Sequence, residues 1–487
     1  MKKVLIVQPF RKPKFKDMIV TNYPYWEVMN LEALTLAAVI EQDGYEVHFL
    51  TMQNMFKSFN NNQNELLESI LVKFSPDILI IATDYYMANG STAIMYSTNK
   101  IIDYYKSHSC LEKTILIGRN VLALREKIFG SLPNLDVAIK GEAEEIINDL
   151  LKCNNEKLHT IKGIIYKNGK EICETEGYGT ILNWENMPLP AFHLLNESIL
   201  LIEEIAGIRM KRIPVTLRTS FGCTRRCNYC AGIENWNEYH TKPYDYFDKE
   251  INLFYNTFPN RAQLFFLADE IFTVDKNHVK STVKVLSNYG IKVQGLFAHT
   301  HFFDDEIAEE IKTITDTVLF GAENCSNRIL EKTNKNQSFE QLISAVDLAK
   351  KHGLKVSLEW IVGLPGETVE TALMNLNKIY EMIVTEVVDN INTYVFCPHP
   401  NTEFEVNSEY YHFTSNNQYS DMLEEGGYPC AKLKKLDTNQ VYIYYLMSQI
   451  IISEAHNVKG QLPEDYRVGS YNLEMFTELF KRINKEI

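Results

Sequence analysis

The sequence predicts an α/β protein in which an open parallel sheet is followed by a partial barrel of parallel strands. Short apolar segments alternate with helical patterns through the first 150 residues or so, and the same alternation restarts near residue 214. A segment with two prolines and no periodicity, MPLPAF, separates the two series. We therefore divide the chain into residues 1–155, an α/β domain; 156–209, a hairpin and linker; 210–400, a barrel; and 401–487, a mostly helical region.

The first domain has the pattern of a doubly wound sheet. Its predicted strands are VLIVQ (4–8), YEVHFL (45–50), DILIIA (77–82), TILIG (114–118) and DVAIK (136–140). Ligands of such sheets bind at the carboxyl ends of the strands, so the loops after Gln8, Ala82 and Gly118 are the candidate pocket. No G-x-G-x-x-G motif follows the first strand, so a nicotinamide site is not supported. Residues 160–182 predict a hairpin that turns at Lys-Asn-Gly.

The second domain is predicted to contain six βα units. Its strands are expected at 215–221, 263–268, 292–298, 316–323, 355–363 and 390–396. Barrels of this kind carry their chemistry on the loops at the carboxyl ends of the strands. A cysteine-rich loop, Asp269–Glu270, His299, Glu323 and the turn 363–367 all follow strands in this way. Further along, EYYHF (409–413) and VYIYYLMSQIII (441–452) are interpreted as helices.

The bulk composition limits the range of functions. The formal net charge of −14 disfavours binding to nucleic acids, whose phosphate backbones it would repel. No apolar run approaches the roughly 20 residues that a membrane helix needs, and the N-terminal MKKVLIVQPF is interpreted as a strand, so we expect a cytoplasmic protein. Of nine cysteines, six are scattered as expected of buried, reduced thiols, and three are clustered.

The clustered cysteines lie in FGCTRRCNYC (221–230), where Cys223, Cys227 and Cys230 have a C-x3-C-x2-C spacing. A structural zinc site would need a distant fourth ligand, and a redox dithiol would use only the last two cysteines. Three structural thiols brought together by chance are a further alternative. An iron–sulfur cluster held by three thiolates keeps one iron open to a substrate or cofactor.

This spacing after the first barrel strand, with Tyr229 before the last cysteine, resembles the radical S-adenosylmethionine (SAM) superfamily. Further matching blocks are FLADEIFTVD (266–275), FGAENCSNRILEKTNK (320–335), LEWIVGLPGET (358–368) and FCPHPNTEF (396–404). The resemblance covers residues 210–400. It implies that the open iron of a 4Fe–4S cluster chelates the amino and carboxylate groups of SAM, and that an electron from the cluster releases a 5′-deoxyadenosyl radical.

The resemblance also implies roles for individual residues. Cys223, Cys227 and Cys230 are the expected cluster ligands and catalytic centre. The expected SAM contacts are Tyr229, Asp269, Glu270, Glu323, Arg328, Glu359 and Gly363. Asp269 and Glu270 stand in Ala-Asp-Glu where many members have Gly-Gly-Glu. Ion pairs within the barrel are the alternative for Glu323 and Glu359, and a surface position is the alternative for Arg328. His299 and His301 are either an acid or base for the substrate or structural residues.

The first domain resembles that of the cobalamin-dependent subgroup of the superfamily. The matching blocks are residues 31–50, 75–82, 114–120 and 138–151. Gly118 and Arg119 stand where many members have Gly-Gly, so Gly118 lets the backbone approach the cofactor and Arg119 either obstructs it or pairs with its phosphate. The D-x-H-x-x-G motif of other cobalamin proteins is absent. The alternative is a vestigial domain that shapes the substrate pocket.

The combined prediction is a cobalamin-dependent radical SAM enzyme that methylates an unactivated carbon of a small molecule or peptide, with a reductant such as flavodoxin or ferredoxin. The main alternative is a cobalamin-free dehydratase, epimerase or rearrangement enzyme. A methylthiotransferase acting on nucleic acid would need a second cysteine cluster in the first domain, and Cys110 and Cys153 are too scattered to form one. A non-catalytic zinc or cluster scaffold is the remaining alternative.

Overall fold

The computed structural model describes most of the two predicted domains. The described residues are 1–9, 31–52, 68–83, 95–179, 184–207, 209, 212–230, 239–259, 261–415 and 429–458. The loops predicted to follow Gln8 and Ala82 in the candidate pocket lie outside this set, whereas the loop after Gly118 lies within it.

The first domain is a seven-stranded sheet in the order β2-β1-β3-β4-β5-β6-β7. Its strands are β1 (Lys3–Gln8), β2 (Glu46–Thr51), β3 (Ile78–Ala82), β4 (Lys113–Ile117), β5 (Val137–Ile139), β6 (Ile164–Asn168) and β7 (Glu171–Glu174). The helices are α1 (Leu31–Gln42), α2 (Met95–His108), α3 (Arg119–Leu124), α4 (Ile128–Ser131) and α5 (Ile147–Lys152), with 3-10 turns at Arg125–Lys127 and Asn155–Thr160. β1 to β5 are parallel and apolar because helices cover both faces.

The predicted hairpin forms β6 and β7, which join the sheet as an antiparallel edge beside β5. Gly169 makes the turn with a left-handed φ of +64°. Helix α6 (Phe192–Ala206) follows and ends at Gly207, whose φ is +62°. The segment between the two predicted domains therefore consists of two edge strands and a helix and is not an irregular linker.

The second sheet has six parallel strands in the order β15-β14-β13-β12-β11-β8. Its strands are β8 (Arg212–Leu217), β11 (Ala262–Leu267), β12 (Val293–Ala298), β13 (Thr317–Glu323), β14 (Lys355–Val362) and β15 (Asn390–Val395). Between β8 and β11, β9 (Ser220–Phe221) and β10 (His240–Thr241) form a separate antiparallel ribbon. The helices are α7 (Tyr244–Thr257), α8 (Lys276–Asn288), α9 (Asp305–Lys312), α10 (Asn327–Lys332), α11 (Phe339–Lys351) and α12 (Val369–Val384), with 3-10 turns at Phe272–Val274 and Thr300–Phe302. Among the described residues β8 and β15 do not pair, so the predicted partial barrel is confirmed as an open one.

The C-terminal region combines helices with a short ribbon. It contains α13 (Glu403–Val406), β16 (Phe413–Ser415), β17 (Ala431–Leu433) and α14 (Thr438–Val458). The helix predicted at 441–452 is confirmed, but the one predicted at 409–413 is wrong. Residues 409–412 form a turn, because His412 has a left-handed φ of +60° and Tyr410 lies 75% exposed instead of covering a core.

One hydrophobic core runs through both sheets without a break at the predicted domain boundary. Leu34 of α1, Leu195 of α6 and Phe254 of α7 belong to the same buried cluster. The ring of Phe192 packs edge-on against Phe254 at a centroid distance of 5.2 Å. The two sheets are therefore held together by packing of apolar side chains.

None of the described helices combines the length and the apolar character that crossing a bilayer requires.

Candidate active site at the ends of the barrel strands

The three clustered cysteines lie in the loop that follows β9. The loop turns back on itself, since the backbone N–H of Cys230 donates to the carbonyl of Cys227 at 3.0 Å. Asn228 attaches it to the segment after α10, donating from its backbone to the carbonyl of Thr333 (2.8 Å) and from its side chain to that of Lys332 (2.9 Å). All three cysteine residues are partly exposed and none is in a disulfide. The loop is thus held against the fourth βα unit with its three thiols free of disulfides.

The donor set fits an iron–sulfur cluster better than a single metal ion. No group of three His, Cys, Asp or Glu side chains in the described ranges is arranged to hold one ion. A cluster with several irons spaces its thiolate ligands more widely, and thiolates are its usual ligands. Burial raises the pKa of Cys223, and that of Cys227 to about 12, while the charge of Lys335 lowers both. The thiols would therefore be ionised by the positive charge of the iron that they bind.

Asp269 fixes the chain just before the cysteines. Its fully buried carboxylate accepts hydrogen bonds from the backbone N–H groups of Thr219 (2.8 Å) and Ser220. It also accepts from the hydroxyl of Thr219 at 2.8 Å, and His278 contacts that hydroxyl at 2.9 Å. The geometry gives Asp269 a positioning role toward the cysteine loop, whereas sequence alone predicts contact with SAM.

Glu270, next in the chain, forms part of a bridge between the domains. Arg218 pairs with Glu32 of α1 at 2.5 Å and with Glu270 at 2.9 Å, and only 8% of its side chain is exposed. The guanidinium also stacks on Phe221, 4.7 Å from the ring centroid. Glu270 is therefore engaged by an arginine at the same edge of the barrel where the resemblance predicts a SAM contact.

Glu323 and Tyr229 meet Lys335 in a buried polar cluster beside the cysteines. Oε1 of Glu323 accepts from the hydroxyl of Tyr229 at 2.7 Å and pairs with the ammonium group of Lys335 at 2.5 Å. Lys335 also donates to the carbonyl of Gly321 at 2.5 Å, and a side chain at that glycine would collide with the ammonium group. Burial raises the pKa of Tyr229 well above its usual range, so the phenol stays protonated and donates. Oε1 of Glu323 thus takes part in an ion pair, which is the alternative that the sequence left open for this residue.

The Gly363–Glu367 turn is organised around a buried acid. Glu367 is fully buried and accepts hydrogen bonds from the backbone of Gly363 (2.8 Å) and the side chains of Asn375 (3.1 Å) and Asn324. Burial raises its pKa to about 7. Gly363 has a φ of +81°, and a Cβ there would lie 2.6 Å from Val441 of α14. The glycine thus lets the C-terminal helix pack on the turn.

The remaining predicted SAM contacts lie on either side of this turn. Arg328 is exposed and donates to the carbonyl of Gly366 at 3.1 Å, which agrees with its surface alternative. Glu359 is half-buried in β14 and accepts from the side chain of Asn392 at 2.9 Å. The structure does not bring Arg328 into the buried cluster around Glu323.

Sequence reasoning gave no role to three residues of this site: Lys335, Glu367 and Arg225. Lys335 and Glu367 are buried partners of residues far along the chain, and nothing in their local sequence separates them from surface charges. Arg225 could have been noted as an arginine inside the cysteine motif. Its side chain stacks on Phe302, 4.9 Å from the ring centroid.

An open cavity of about 860 Å³ adjoins the cysteine loop on its outer side. Cys230 and Asn228 line it together with Lys332, Thr402 and Tyr411. The hydroxyl of Tyr411 accepts from the side chain of Asn228 at 3.1 Å. The C-terminal region therefore forms one wall of the space beside the cysteines.

The carboxyl edge of the first sheet carries neutral polar groups. Thr51 donates to buried Gln8 at 3.0 Å, and Thr83 donates to Asn120 at 2.7 Å. Gly118 joins β4 to α3 with a φ of +140°, a conformation open essentially to glycine. Arg119 begins α3, and its side chain lies outside the described part. The ends of β1 to β4 are thus polar, uncharged where described, and shaped by a glycine, whereas β5 is followed by the ion pair of Lys140 and Glu174.

Comparison with known proteins agrees with this arrangement. Residues 217–379 match the family model of the radical SAM superfamily. An uncharacterized methyltransferase of Pyrococcus horikoshii is 23% identical over 374 residues, which cover 76% of this chain and 75% of that protein. The anaerobic magnesium-protoporphyrin IX monomethyl ester cyclase of Cereibacter sphaeroides is also 23% identical, over 75% of this chain and 58% of its own length.

A solved structure extends the likeness to the whole fold. The radical SAM methyltransferase TsrM from Kitasatospora setae, with tryptophan substrate and a SAM analogue bound, matches 86% of this chain and 79% of its own at a TM-score of 0.62 and 15% identity. A second structure of TsrM holds cobalamin and a [4Fe-4S] cluster. Residues 217–379 are accordingly a radical SAM domain, which implies a 4Fe–4S cluster and SAM, and this enzyme has a fold similar to that of the methyltransferase TsrM.

Proposed function

We propose that this enzyme methylates an unactivated carbon of a small molecule or peptide with the help of cobalamin. The observation that carries the proposal is the match of both domains together to TsrM, a methyltransferase that is seen with cobalamin. The conformation of Gly118 and the uncharged polar edge around Thr83 and Asn120 support it, because a bulky cofactor must lie close to the backbone there. A cytoplasmic reductant such as flavodoxin or ferredoxin completes the proposed system.

The chain's own residues have distinct tasks in this proposal. Cys223, Cys227 and Cys230 would hold the cluster, and Asp269 orients the backbone that enters their loop. Glu323, Lys335 and Tyr229 form a buried polar cluster that would face SAM. When bound, the cluster would supply the electron for the reductive cleavage of SAM, and cobalamin would supply the methyl group.

A second candidate is a radical SAM enzyme without cobalamin that carries out a dehydration, epimerisation or rearrangement. Arg119 favours it, because an arginine stands where many cobalamin-binding members have a glycine. The similarity to a cyclase shows that sequence likeness at this level does not fix the reaction.

Anaerobic reconstitution with iron, sulfide and hydroxocobalamin, followed by metal analysis and an optical spectrum, tests the proposal. We expect about four irons and about one cobalt per chain. Alanine at all three clustered cysteines should remove the iron and keep the cobalt, whereas Gly118→Val should do the reverse. Four irons without cobalt would favour the second candidate, and zinc in place of iron would reject both.

A further inference from the structure

Three buried nitrogen atoms at the carboxyl ends of the barrel strands make no hydrogen bond within the described residues. They are Nε and Nη2 of Arg225 and Nε2 of His299. The two side chains come from different loops but share Phe302, whose ring centroid lies 4.9 Å from the guanidinium carbon and 6.0 Å from the imidazole centroid. The fold thus brings together polar atoms that ordinary packing leaves without partners.

The contact made by Nδ1 of His299 shows whether Nε2 of the same ring donates or accepts a hydrogen bond. Nδ1 accepts from the backbone N–H of His301 at 3.1 Å. Burial, together with the charges of Lys335 and Arg225, lowers the pKa of His299 to about 3, so the ring is neutral. A neutral imidazole that accepts at Nδ1 carries its hydrogen on Nε2. The backbone of Lys335 also approaches the ring, but among the described residues Nε2 completes no hydrogen bond of good geometry and keeps its capacity to donate to a ligand.

All three atoms are therefore donors. A buried donor without an acceptor destabilises a protein by about 1–3 kcal/mol, so a set of them indicates a missing acceptor. Nε and Nη2 form one edge of the guanidinium, which matches two oxygens of a carboxylate or phosphate. Stacking on Phe302 holds the plane of that edge. The nearby ammonium group of Lys335 is paired with Glu323 and is itself a donor, so it cannot be the missing acceptor.

We propose that Arg225 and His299 form an anion subsite that binds a carboxylate or phosphate group of the substrate. The site has donors for three lone pairs, two on Arg225 and one on His299. The methionine carboxylate of SAM, with one oxygen on iron in the mode that the superfamily resemblance implies, keeps only one uncoordinated oxygen and so matches the two donor atoms of the arginine edge less well. A substrate oxyanion has its oxygens available. The inference rests on the proposed radical SAM function but not on cobalamin.

The test uses the reconstituted protein with its cluster and inorganic phosphate as the probe. Phosphate should raise the melting temperature of the wild type in a saturable way. Arg225→Met and His299→Leu should each weaken apparent phosphate affinity by about tenfold or more. Arg226→Met, which changes the adjacent exposed arginine, should behave like the wild type. Iron content and the optical spectrum show whether the cysteine loop of each variant is intact.

Equilibrium dialysis with SAM separates the two sources of oxyanion. We expect saturating phosphate and both variants to leave the dissociation constant of SAM within about twofold of the wild-type value. Competition between phosphate and SAM would reassign the site to the methionine carboxylate and overturn the proposal. A phosphate response that survives both substitutions would also overturn it. Suppose that the protein takes up no cobalt on reconstitution but binds phosphate through Arg225 and His299. That result would support the subsite and contradict the proposed cobalamin-dependent methylation.

Discussion

The two parallel sheets present their carboxyl ends with opposite chemistry. At the first sheet the ends of β1 to β4 carry amides, hydroxyls and a glycine (Gln8, Thr51, Thr83, Gly118 and Asn120), and the buried charge that follows β5, Lys140, is paired with Glu174. At the second sheet the same edge carries thiols and buried charges: Cys223, Cys227, Cys230, Arg218, Glu270, Glu323, Lys335 and Glu367. The strand orders differ as well, since the first sheet reverses direction at β1 and ends in an antiparallel edge, whereas the strands of the second follow one another in chain order.

The contrast suggests a division of labour. A neutral polar edge with close backbone approach suits a large, preformed cofactor that is held mainly by shape. Buried charges suit a site that must assemble a metal cluster and hold a zwitterionic ligand, because they fix orientation in a low dielectric. Changes at the barrel edge should therefore affect iron and SAM, and changes at the first sheet should affect cobalt.

The largest effect is expected at the cysteines. Serine at Cys227 should abolish SAM cleavage, since the remaining two thiolates cannot hold the cluster. Iron analysis and detection of 5′-deoxyadenosine measure this result. Cobalt binding should stay at the wild-type level. Loss of cobalt together with iron would mean that the two edges are not independent.

Next in size is the buried pair of Lys335 and Glu323. Lys335→Met leaves an uncompensated buried carboxylate, which we expect to lower the free energy of unfolding by about 3–5 kcal/mol. Urea unfolding measures the change. The double variant Lys335→Met with Glu323→Gln should recover most of it. A single variant as stable as the wild type would show that the ion pair with Glu323 contributes nothing to the stability of the fold.

The pH dependence of stability tests the charge at Glu367. Its pKa is raised to about 7 from an ordinary value of 4.5, so the folded state holds the proton more tightly than the unfolded state. Stability is then greatest below pH 4.5 and falls as the pH rises through 7, by about 3 kcal/mol at 1.36 kcal/mol per unit.

Glu367→Gln, which resembles the protonated acid, should remove this slope and be more stable than the wild type at pH 8. Melting temperatures between pH 5 and 8 measure both effects. A variant less stable at every pH would mean that the hydrogen bonds to an ionised carboxylate outweigh its burial.

The smallest expected effect lies at the first sheet. Gly118→Ala forces a side chain into a φ of +140°, which should cost about 1–3 kcal/mol and reduce cobalt binding with iron unchanged. Gly130→Ala is the matched control, because this helical glycine has open space around it and should tolerate alanine. Equal cobalt binding in both variants would remove the argument for close backbone approach at Gly118.

Sequence reasoning found the strands and the cysteine loop for physical reasons. Apolar runs such as ILIIA (78–82) are buried on both faces, and three thiolates in eight residues have few other uses. The long helix α14 was equally clear from its length. Local patterns of this kind predict structure well because they do not depend on residues that are distant in the chain.

The parts that sequence missed depend on partners distant in the chain. The pairing of Glu323 with Lys335 spans a helix and a turn, and the acceptance of three hydrogen bonds by Asp269 requires β8 and β11 to lie side by side. EYYHF has the composition of a core helix, yet the left-handed His412 and an exposed Tyr410 make it a turn. The roles predicted for the SAM contacts and the domain boundaries stay predictions.

Arg218 limits which first domains and barrels can be combined when domains are exchanged between relatives. Its nearly buried guanidinium is neutralised partly by Glu32, in the first domain, and partly by Glu270, in the barrel. A chimaera whose donor domain lacks an acid at position 32 would lose half of that neutralisation. The two halves of this enzyme should therefore be recombined, and should have been inherited, as a matched pair.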